Sequence, residues 1–346
     1  MKVIADLQLH SRFARAVSPQ MTVPTISQWA AKKGINLVAT GDWTHPLWFR
    51  ELTTFLEDAG EGIYKVKRPE SSTRFLLSTE ISSIYSQGGK VRKVHTLIFA
   101  PDFSTVGKIN SELTLRGANL MSDGRPIVGL SAKNVAEIAL SVNDKCLIIP
   151  AHAWTPHFSI FGSVSGFDSI EECFEDLAPN IYAIETGLSS DPAMNWRIAD
   201  LENRRIVSFS DAHSPAKLGR EATVFEMEEI SFENVRNAIM GKGNSKIAYT
   251  IEFYPEEGKY HYTGHRNCKV VYSPNEARKK GTTCPVCGKP LTIGVMSRVE
   301  HLASVDIETE SKVDKLGVRW IHDKEGNHPS YVMLVPLMEI LSGSLE

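Results

Sequence analysis

The sequence predicts an α/β fold over its first 250 residues and a smaller module after them, on three observations. Short β-branched runs alternate with amphipathic stretches, the pattern of a sheet wrapped by helices. Acidic and imidazole side chains recur where those runs end. After Glu252 the periodicity gives way to Tyr, His, Gly, Lys and paired cysteines, until the apolar stretch Tyr331–Leu341.

The runs that read as strands are Val3–Leu9, Asn36–Gly41, Phe75–Ile81, His95–Ala100, Cys146–Pro150, Ile181–Glu185, Ile206–Ser210 and Thr223–Met227. Their near-continuous apolar character suits burial on both faces, as in a βα barrel or a layered sheet. Helices are predicted over Thr25–Lys33, Pro46–Leu56, Ser131–Ser141, Met194–Arg204 and Phe232–Met240, several opening on a Ser, Asp or Pro start signal. The change of character divides the chain into 1–250, 251–300 and 301–346, and the small, polar Ser342–Glu346 reads as the point where a longer chain is truncated.

The chain has 346 residues, 42% hydrophobic and 23% charged, which excludes disordered and fibrous classes and predicts about two folded domains. No apolar run approaches the roughly 18 residues that span a bilayer, and the N-terminus lacks the apolar core of a signal peptide, so the expectation is a cytoplasmic protein with no membrane partner. A net charge of −3 gives no global attraction to nucleic acid, so a polyanion would have to be held locally. Of five cysteines, Cys146 and Cys173 read as buried thiols, whereas Cys268, Cys284 and Cys287 fall within twenty residues, a spacing that suits metal better than disulfides.

Strand side chains alternate between faces, so Asp6, Gln8 and His10 are expected to point one way at the end of the first strand, with the leucines between them in the wrapping layer. The same event recurs at Asp42 and His45, at Glu80, at His95, at His152, at Glu185, and at Asp211 with His213. In βα barrels the reactive groups lie at the C-terminal ends of different strands and meet in one mouth. Carboxylates interleaved with imidazoles there would repel unless cations joined them, and that donor mixture suits zinc, manganese or iron better than magnesium. A multinuclear metal site is the expectation. Any one of these histidines alone would read as a hydrogen-bonded structural residue, and Asp6 also suits the role of holding a histidine's second nitrogen.

The second module reads His265-x-x-Cys268 and, fifteen residues on, Cys284-Pro-Val-Cys287-Gly. Two closely spaced pairs complete a tetrahedron, so one structural zinc is predicted, with His261 as the substitute for His265. Between Lys259 and Arg298 lie eight Lys or Arg, including Lys269, Arg278, Lys279 and Lys280, against Glu276 alone. The run at 278–280 could be a solvated helix face, but the concentration also fits a phosphate footprint. In the loop after His152, Trp154, His157, Phe158 and Phe161, and nearer the first strands Trp43 and Trp48, are candidates for stacking on or wedging between bases, or else for core packing.

Asp-Leu-Gln-Leu-His10, Gly-Asp-Trp-Thr-His45, the Glu80 and His95 pair, Ala-His152 and Ser-Asp211-Ala-His213 resemble, in order, the PHP (polymerase and histidinol phosphatase) superfamily. The resemblance implies a distorted seven-stranded βα barrel that hydrolyses phosphate esters with two or three divalent ions (Zn, Mn, Mg or Fe). It implies one ion on positions 8 and 10, Glu80 and Asp211, a second on Glu80, His95 and His152, and a third on His213 with Asp42 or His45. It departs at position 8, where the superfamily's first motif is His-x-His and this chain has Gln8, a neutral and poorer ligand, so impaired catalysis is expected. With the zinc module, Arg298-Val-Glu-His and the closing apolar segment, the whole chain resembles the endonuclease Q family. That resemblance implies cleavage of DNA on the 5′ side of deaminated bases (uracil, hypoxanthine, xanthine) and of abasic sites, with damaged DNA as partner beside unidentified replication or repair proteins. The alternatives are a catalytically silent lesion-binding protein and a phosphoesterase acting on a small phosphomonoester.

Overall fold

The computed structural model describes residues 1–68 and 71–343; the last three residues of the stretch read as truncated lie outside them. The strands of the first unit are β1 (Lys2–Asp6), β2 (Leu37–Ala39), the hairpin β3 (Leu56–Gly60) and β4 (Ile63–Val66), β5 (Arg74–Gln87), β6 (Lys90–Ala100), β7 (Ile127–Val128), β8 (Leu147–Pro150), β9 (Ala183–Glu185), β10 (Arg205–Val207), β11 (Ala222–Glu226) and β12 (Lys246–Glu252). Seven of them, β1, β2, β5, β6, β8, β9 and β10, come round in a ring. β1, β2 and β5 pair in parallel, β6 is antiparallel to both β5 and β8, and β9 is parallel to β10. Two seams lack a strand ladder. Ala153 N donates to Glu185 O (2.9 Å) between β8 and β9, and His10 N donates to Ala212 O (3.0 Å) where the chain beyond β10 meets the chain beyond β1. At the foot of that second seam β11 is wedged antiparallel to β1. The predicted distorted seven-stranded α/β barrel is the fold found.

Alternation along the strands sets up the site. Leu76, Leu97, Ile149, Ala183 and Val207 share one apolar cluster, whereas Val38, Phe75, Leu77, Ile98, Ile148 and Ile184 belong to the cluster packed with the helices. Counting by twos from the first set reaches Glu80, His95, Glu185 and Asp211, so these polar side chains continue the inward face beyond the apolar plug. β1 breaks the rule. Leu7 joins Val3 and Ala5 in the inner cluster while Leu9 lies with the helix layer, so the face switches after Leu7 instead of placing Asp6, Gln8 and His10 on one side as expected.

Helices α1 (Val23–Lys32), α2 (Pro46–Phe55), α3 (Phe103–Leu115), α4 (Ala132–Val142), α5 (Ile170–Phe174), α6 (Pro192–Trp196) and α7 (Phe232–Met240) accompany the ring. Thr22, Asp102, Ser131, Ser169, Asp191 and Ser231 each accept a backbone N–H in the first turn of a helix, the usual remedy for donors with no intrahelical partner. α3 and the full reach of the β5–β6 hairpin, turned at Gly88 and Gly89, go beyond the sequence reading. The predicted helix Met194–Arg204 is corrected: α6 starts earlier and stops at Trp196, and only a short 3₁₀ turn, Ala199–Leu201, follows. Asn195 donates back to Ser190 Oγ and Asp191 O, the local side-chain bonding that competes with helix propagation.

Beyond β12 come β13 (Thr263–His265), β14 (Val270–Tyr272), α8 (Pro274–Lys280) and α9 (Val295–Leu302). Then β15 (Thr309–Val313), β16 (Arg319–Asp323) and β17 (Tyr331–Met333) return to the main sheet, β17 lying parallel to β12 with Tyr331 opposite Thr250, and α10 (Leu337–Gly343) follows. Arg298 on α9 donates to Phe161 O and Phe167 O, both at 2.9 Å, fastening this module to the loop after His152.

Candidate metal centre

Two groups of donors meet at the rim of the barrel. Glu80 Oε1 lies 2.5 Å from His95 Nδ1 and 3.6 Å from His152 Nε2, and the two rings approach to 3.0 Å. His10 Nε2 lies 3.2 Å from Asp211 Oδ1, which is 3.8 Å from His213 Nδ1. Within each group the donor atoms fall inside 4.8 Å of one another. His10 Nε2 is also 3.4 Å from Glu80 Oε2, so the groups are fused into one centre. The backbone bends sharply to deliver them: Asp42, His152 and Asp211 all have left-handed φ, of 46°, 31° and 45°, a conformation that only surrounding structure enforces. A Cβ on Gly187 would lie 2.1 Å from that of His152, so the next strand's turn must be glycine for the imidazole to sit there.

A ring of holders orients the donors. Asp42 Oδ1 takes the N–H of His10 Nδ1 at 2.9 Å while Oδ2 accepts from Ser11 N (2.6 Å) and Ser11 Oγ (2.7 Å), leaving His10 Nε2 free to face the centre. Glu185 Oε2 accepts from His152 N at 2.6 Å, Thr155 Oγ1 lies 3.1 Å from His152 Nδ1, and Ser82 Oγ lies 3.1 Å from His95 Nε2. Burial would raise the Glu80 carboxyl, but His95, Arg125 and the His10 and His152 bonds hold it well below the carboxylate range. Burial likewise opposes ionisation of Asp211, and His10 outweighs it, lowering that group to about 2. Burial pushes His95 down to about 4, leaving it neutral. His10 and His152 go the other way: burial lowers them, but the carboxylates around them outweigh it and favour a proton that a metal ion would have to displace. Only the Glu80–His95 pair therefore stands in the ionised-carboxylate, neutral-imidazole state in which these side chains ligate.

Several expected residues lie elsewhere. Asp6 faces away from the centre, accepting from Ser210 N (3.0 Å), Ser210 Oγ (2.6 Å) and Gly219 N (2.8 Å); burial pushes it up to about 6, and it ties β1 to the chain beyond β10. Asp42 holds His10 and stands outside both donor groups. His45 is stacked on Phe13 at 4.6 Å and is likewise outside them, so His213 is found with Asp211 and His10 instead. Gln8 does reach the centre, but through its amide N–H, which donates to Glu80 Oε2 at 2.7 Å; its Oε1 is buried without a hydrogen-bond partner, and Asp211 Oδ1 faces only the imidazoles of His10 and His213. Carboxylate oxygens held among imidazole nitrogens, with an orphaned amide oxygen beside them, fit divalent ions of the zinc, manganese or iron type in each group.

Trp154 and Phe161 are corrections: both are fully buried, the indole N–H donates to Asn195 Oδ1 at 2.7 Å, and the rings pack at 4.7 Å, so neither can stack on a base. Trp43 and Trp48 are buried too. Phe158 remains at the mouth, with a left-handed φ of 61°, its ring 4.8 Å from that of His95 and Lys93 Nζ 5.2 Å above it. Arg125, absent from the sequence reading, enters the centre 3.4 Å from both His10 Nε2 and Glu80 Oε1. Its signal is faint, since nothing in Asp-Gly-Arg-Pro distinguishes it from a surface turn.

In the second module His265, Cys268, Cys284 and Cys287 come together within 4.8 Å, with His265 Nδ1 3.3 Å from Cys287 Sγ; His261 is buried apart from them. Burial opposes ionisation of Cys284, but the N–H groups of Cys287 and Val286 and the His265 ring bring its thiol down to about 6. Lys269 and Lys279 are exposed, whereas Arg278 pairs with Glu300 at 2.6 Å and Lys280 with Glu276 at 2.8 Å. Beside them a cavity of about 600 Å³ is lined by His157, Lys259, Tyr260, Tyr262, Arg266 and Lys269 among others.

No family model matches the chain. It is 30% identical, over an alignment of 358 residues covering 97% of it and 82% of the relative, to the uncharacterized protein YqxK of Bacillus subtilis. To the uncharacterized protein MJ0043 of Methanocaldococcus jannaschii it is 34% identical over 198 residues, 55% of this chain and 22% of that one. Among solved structures, the lesion-specific endonuclease PfuEndoQ of Pyrococcus furiosus superposes on all of this chain and 78% of its own, with a TM-score of 0.82 at 33% identity. The chain belongs to the endonuclease Q family. A second endonuclease Q structure, in complex with a 27-mer duplex carrying an abasic lesion at the active site, superposes with a TM-score of 0.83 at 34% identity over all of this chain and 79% of that one. Among the described residues no helix is long and apolar enough to cross a membrane.

Proposed function

We propose that this protein is a DNA repair endonuclease that hydrolyses the phosphodiester 5′ to deaminated bases (uracil, hypoxanthine, xanthine) and to abasic sites, leaving a 3′-hydroxyl and a 5′-phosphate. The observation that carries the reading is the fusion of two donor groups through Glu80 at one rim of a barrel whose relatives act on lesions. Two or three divalent ions (Zn, Mn, Mg or Fe) in those groups would polarise the scissile phosphate and acidify an attacking water. The protein's own part is to hold Glu80 and Asp211 ionised, to keep the ligating nitrogen of His10 aimed by Asp42 and that of His152 aimed by Glu185 and Thr155, and to wall the mouth with Phe158 and Lys93.

The second module, at 251–300, takes one structural zinc on His265, Cys268, Cys284 and Cys287 and offers Lys269 and Lys279 to the DNA backbone, with Arg278 and Lys280 available only when their carboxylate partners release them. The remaining segment, 301–346, returns the chain to the barrel unit 1–250, where β17 lies beside β12. Lesion choice uses extrusion of the damaged nucleotide, which costs a few kcal/mol and least at a missing base. The work is done in the cytoplasm, with replication or repair proteins as partners. Gln8, whose amide N–H is spent on Glu80, lowers the affinity of the centre and impairs the reaction. That same bond favours a second reading, a lesion-binding protein without chemistry. A nicking assay on abasic, uracil, hypoxanthine and undamaged duplexes, for the wild type and Gln8→His, separates them. Metal-dependent cleavage 5′ to the lesion, stronger in Gln8→His, is expected; lesion-selective binding with no cleavage by either form would leave the second reading.

A further inference from the structure

We infer that Arg125 is a tethered cation that takes the place of one metal ion of this centre, at the junction of His10 and Glu80. The inference rests on the reading of the rim as a metal centre. A guanidinium is permanently charged and carries donors only, so it cannot ligate a metal and competes with one for the same carboxylates. Arg125 Nη1 lies 3.4 Å from His10 Nε2 and 3.4 Å from Glu80 Oε1, and those two side chains are themselves 3.4 Å apart at their nearest atoms. An ion bonded to His10 Nε2 and Glu80 Oε2 would stand about 2.0–2.2 Å from each donor, with the guanidinium nitrogen already placing a full positive charge 3.4 Å from that same nitrogen and from the carboxylate's other oxygen.

The placement is built into the fold. The loop that carries Arg125 is pressed onto the site: a Cβ on Gly124 would fall 2.5 Å from Asp42 Oδ2, Gly124 N donates to Phe13 O at 3.0 Å, and Thr44 Oγ1 donates to Gly124 O at 3.2 Å. Immediately after it, Pro126 O accepts from Ser82 N at 3.0 Å, and β7 pairs with β5 at Ser82 and Ser83, two residues past Glu80. The side chain is mostly buried, about 23% exposed, so the charge is directed at the donors and only its edge faces solvent. Gln8 completes the exchange: where a ligating imidazole would bring a metal, its amide N–H caps Glu80 Oε2 at 2.7 Å while Arg125 faces Oε1. The carboxylate shared by both groups is thereby neutralised from within the chain.

The test is an ion count. The full chain is loaded with Mn²⁺, desalted and analysed for Mn and Zn per chain, together with Gln8→His, Arg125→Met and the double variant, the fold of each being checked by circular dichroism. The wild type is expected to hold about two Mn²⁺ in the barrel, and the double variant about one more, since position 8 then ligates and the competing charge is gone. Gln8→His alone should hold the same ions more tightly without adding one, because the arginine still stands there. A wild type that already holds three barrel ions overturns the inference without any variant, as does a double variant that gains none. The nicking assay stands apart from these counts: absence of lesion cleavage by every form would sink the endonuclease reading, whereas unchanged ion numbers would sink only the role of Arg125.

Discussion

Glu252→Gln should make this protein more stable at alkaline pH, and the effect is large enough to decide whether the barrel closes on a buried proton. Glu221 and Glu252 are fully buried where β11 and β12 meet the chain after β9. Ser208 Oγ donates to Glu252 Oε1 at 2.5 Å, and Thr186 Oγ1 lies 3.4 Å from an oxygen of each carboxyl. Burial pushes Glu252 up to about 8, and burial together with Glu252 and Glu185 pushes Glu221 well above its usual value. A carboxyl whose folded value is raised keeps a proton that the unfolded chain has lost, so stability falls as pH rises from about 4.5 to about 8. Each tenfold change in an ionisation constant is worth about 1.4 kcal/mol, which bounds the loss near 5 kcal/mol; sharing one proton with Glu221 brings the expectation to about 2–3 kcal/mol. Glutamine keeps the acceptor for Ser208 and cannot ionise. Urea unfolding of the metal-loaded chain, followed by tryptophan fluorescence, should show the variant ahead of the wild type by that amount at pH 8.5 and level with it at pH 5. A variant no more stable at pH 8.5, or a wild type whose midpoint is flat between pH 5 and 8.5, would refute the buried proton.

Asp42→Asn should weaken metal binding about 10- to 100-fold by releasing the His10 ring, with the circular dichroism unchanged; competitive chelator titration measures it, and unaltered affinity would show that His10 needs no holder. Cys284→Ser should lose the zinc of the second module and weaken lesion-DNA binding at least about tenfold, read by elemental analysis and gel shift; intact DNA affinity would make the module a brace alone. Trp154→Phe should cost about 1 kcal/mol through the bond to Asn195 and leave DNA affinity unaltered, whereas a selective loss of binding would return Trp154 to the DNA surface.

What could be read from the chain was whatever a period of two carries. Glu80, Glu185 and Asp211 follow inward-facing apolar residues by even steps and His95 precedes one, Leu97, by the same step in an antiparallel strand, so apolar runs and the polar residues at or beyond their ends place most of the centre. The two-residue gaps of His265-x-x-Cys268 and Cys284-x-x-Cys287 place the other. Position 8 and position 10 were legible as types but not as orientations, because β1 ends at Asp6 and the face switches past it. Contacts between distant residues leave no periodic trace: the His10–Asp42 bond spans 32 positions, and Arg125 meets Glu80 across 45. The aromatic loop after His152 misled for a related reason, since Trp154 and Phe161 are as apolar in a core as on a DNA surface. Strands such as Thr309–Val313 were missed because they are polar and mostly exposed, with no buried face to set a pattern.

Because β17 lies directly beside β12, the entire excursion between Glu252 and Tyr331 leaves and re-enters the protein at neighbouring rungs of one ladder. Between those rungs it is pinned at two separate loops: Arg298 donates to Phe161 O and Phe167 O and Ser163 Oγ donates to Ile293 O in the segment after His152, while Ser304 N and Val305 N donate to Arg197 O. The cysteine-bearing module is thereby joined covalently at one edge of the sheet and by hydrogen bonds to the very loop that begins at His152, so a ligand of the centre and the module share one stretch of backbone.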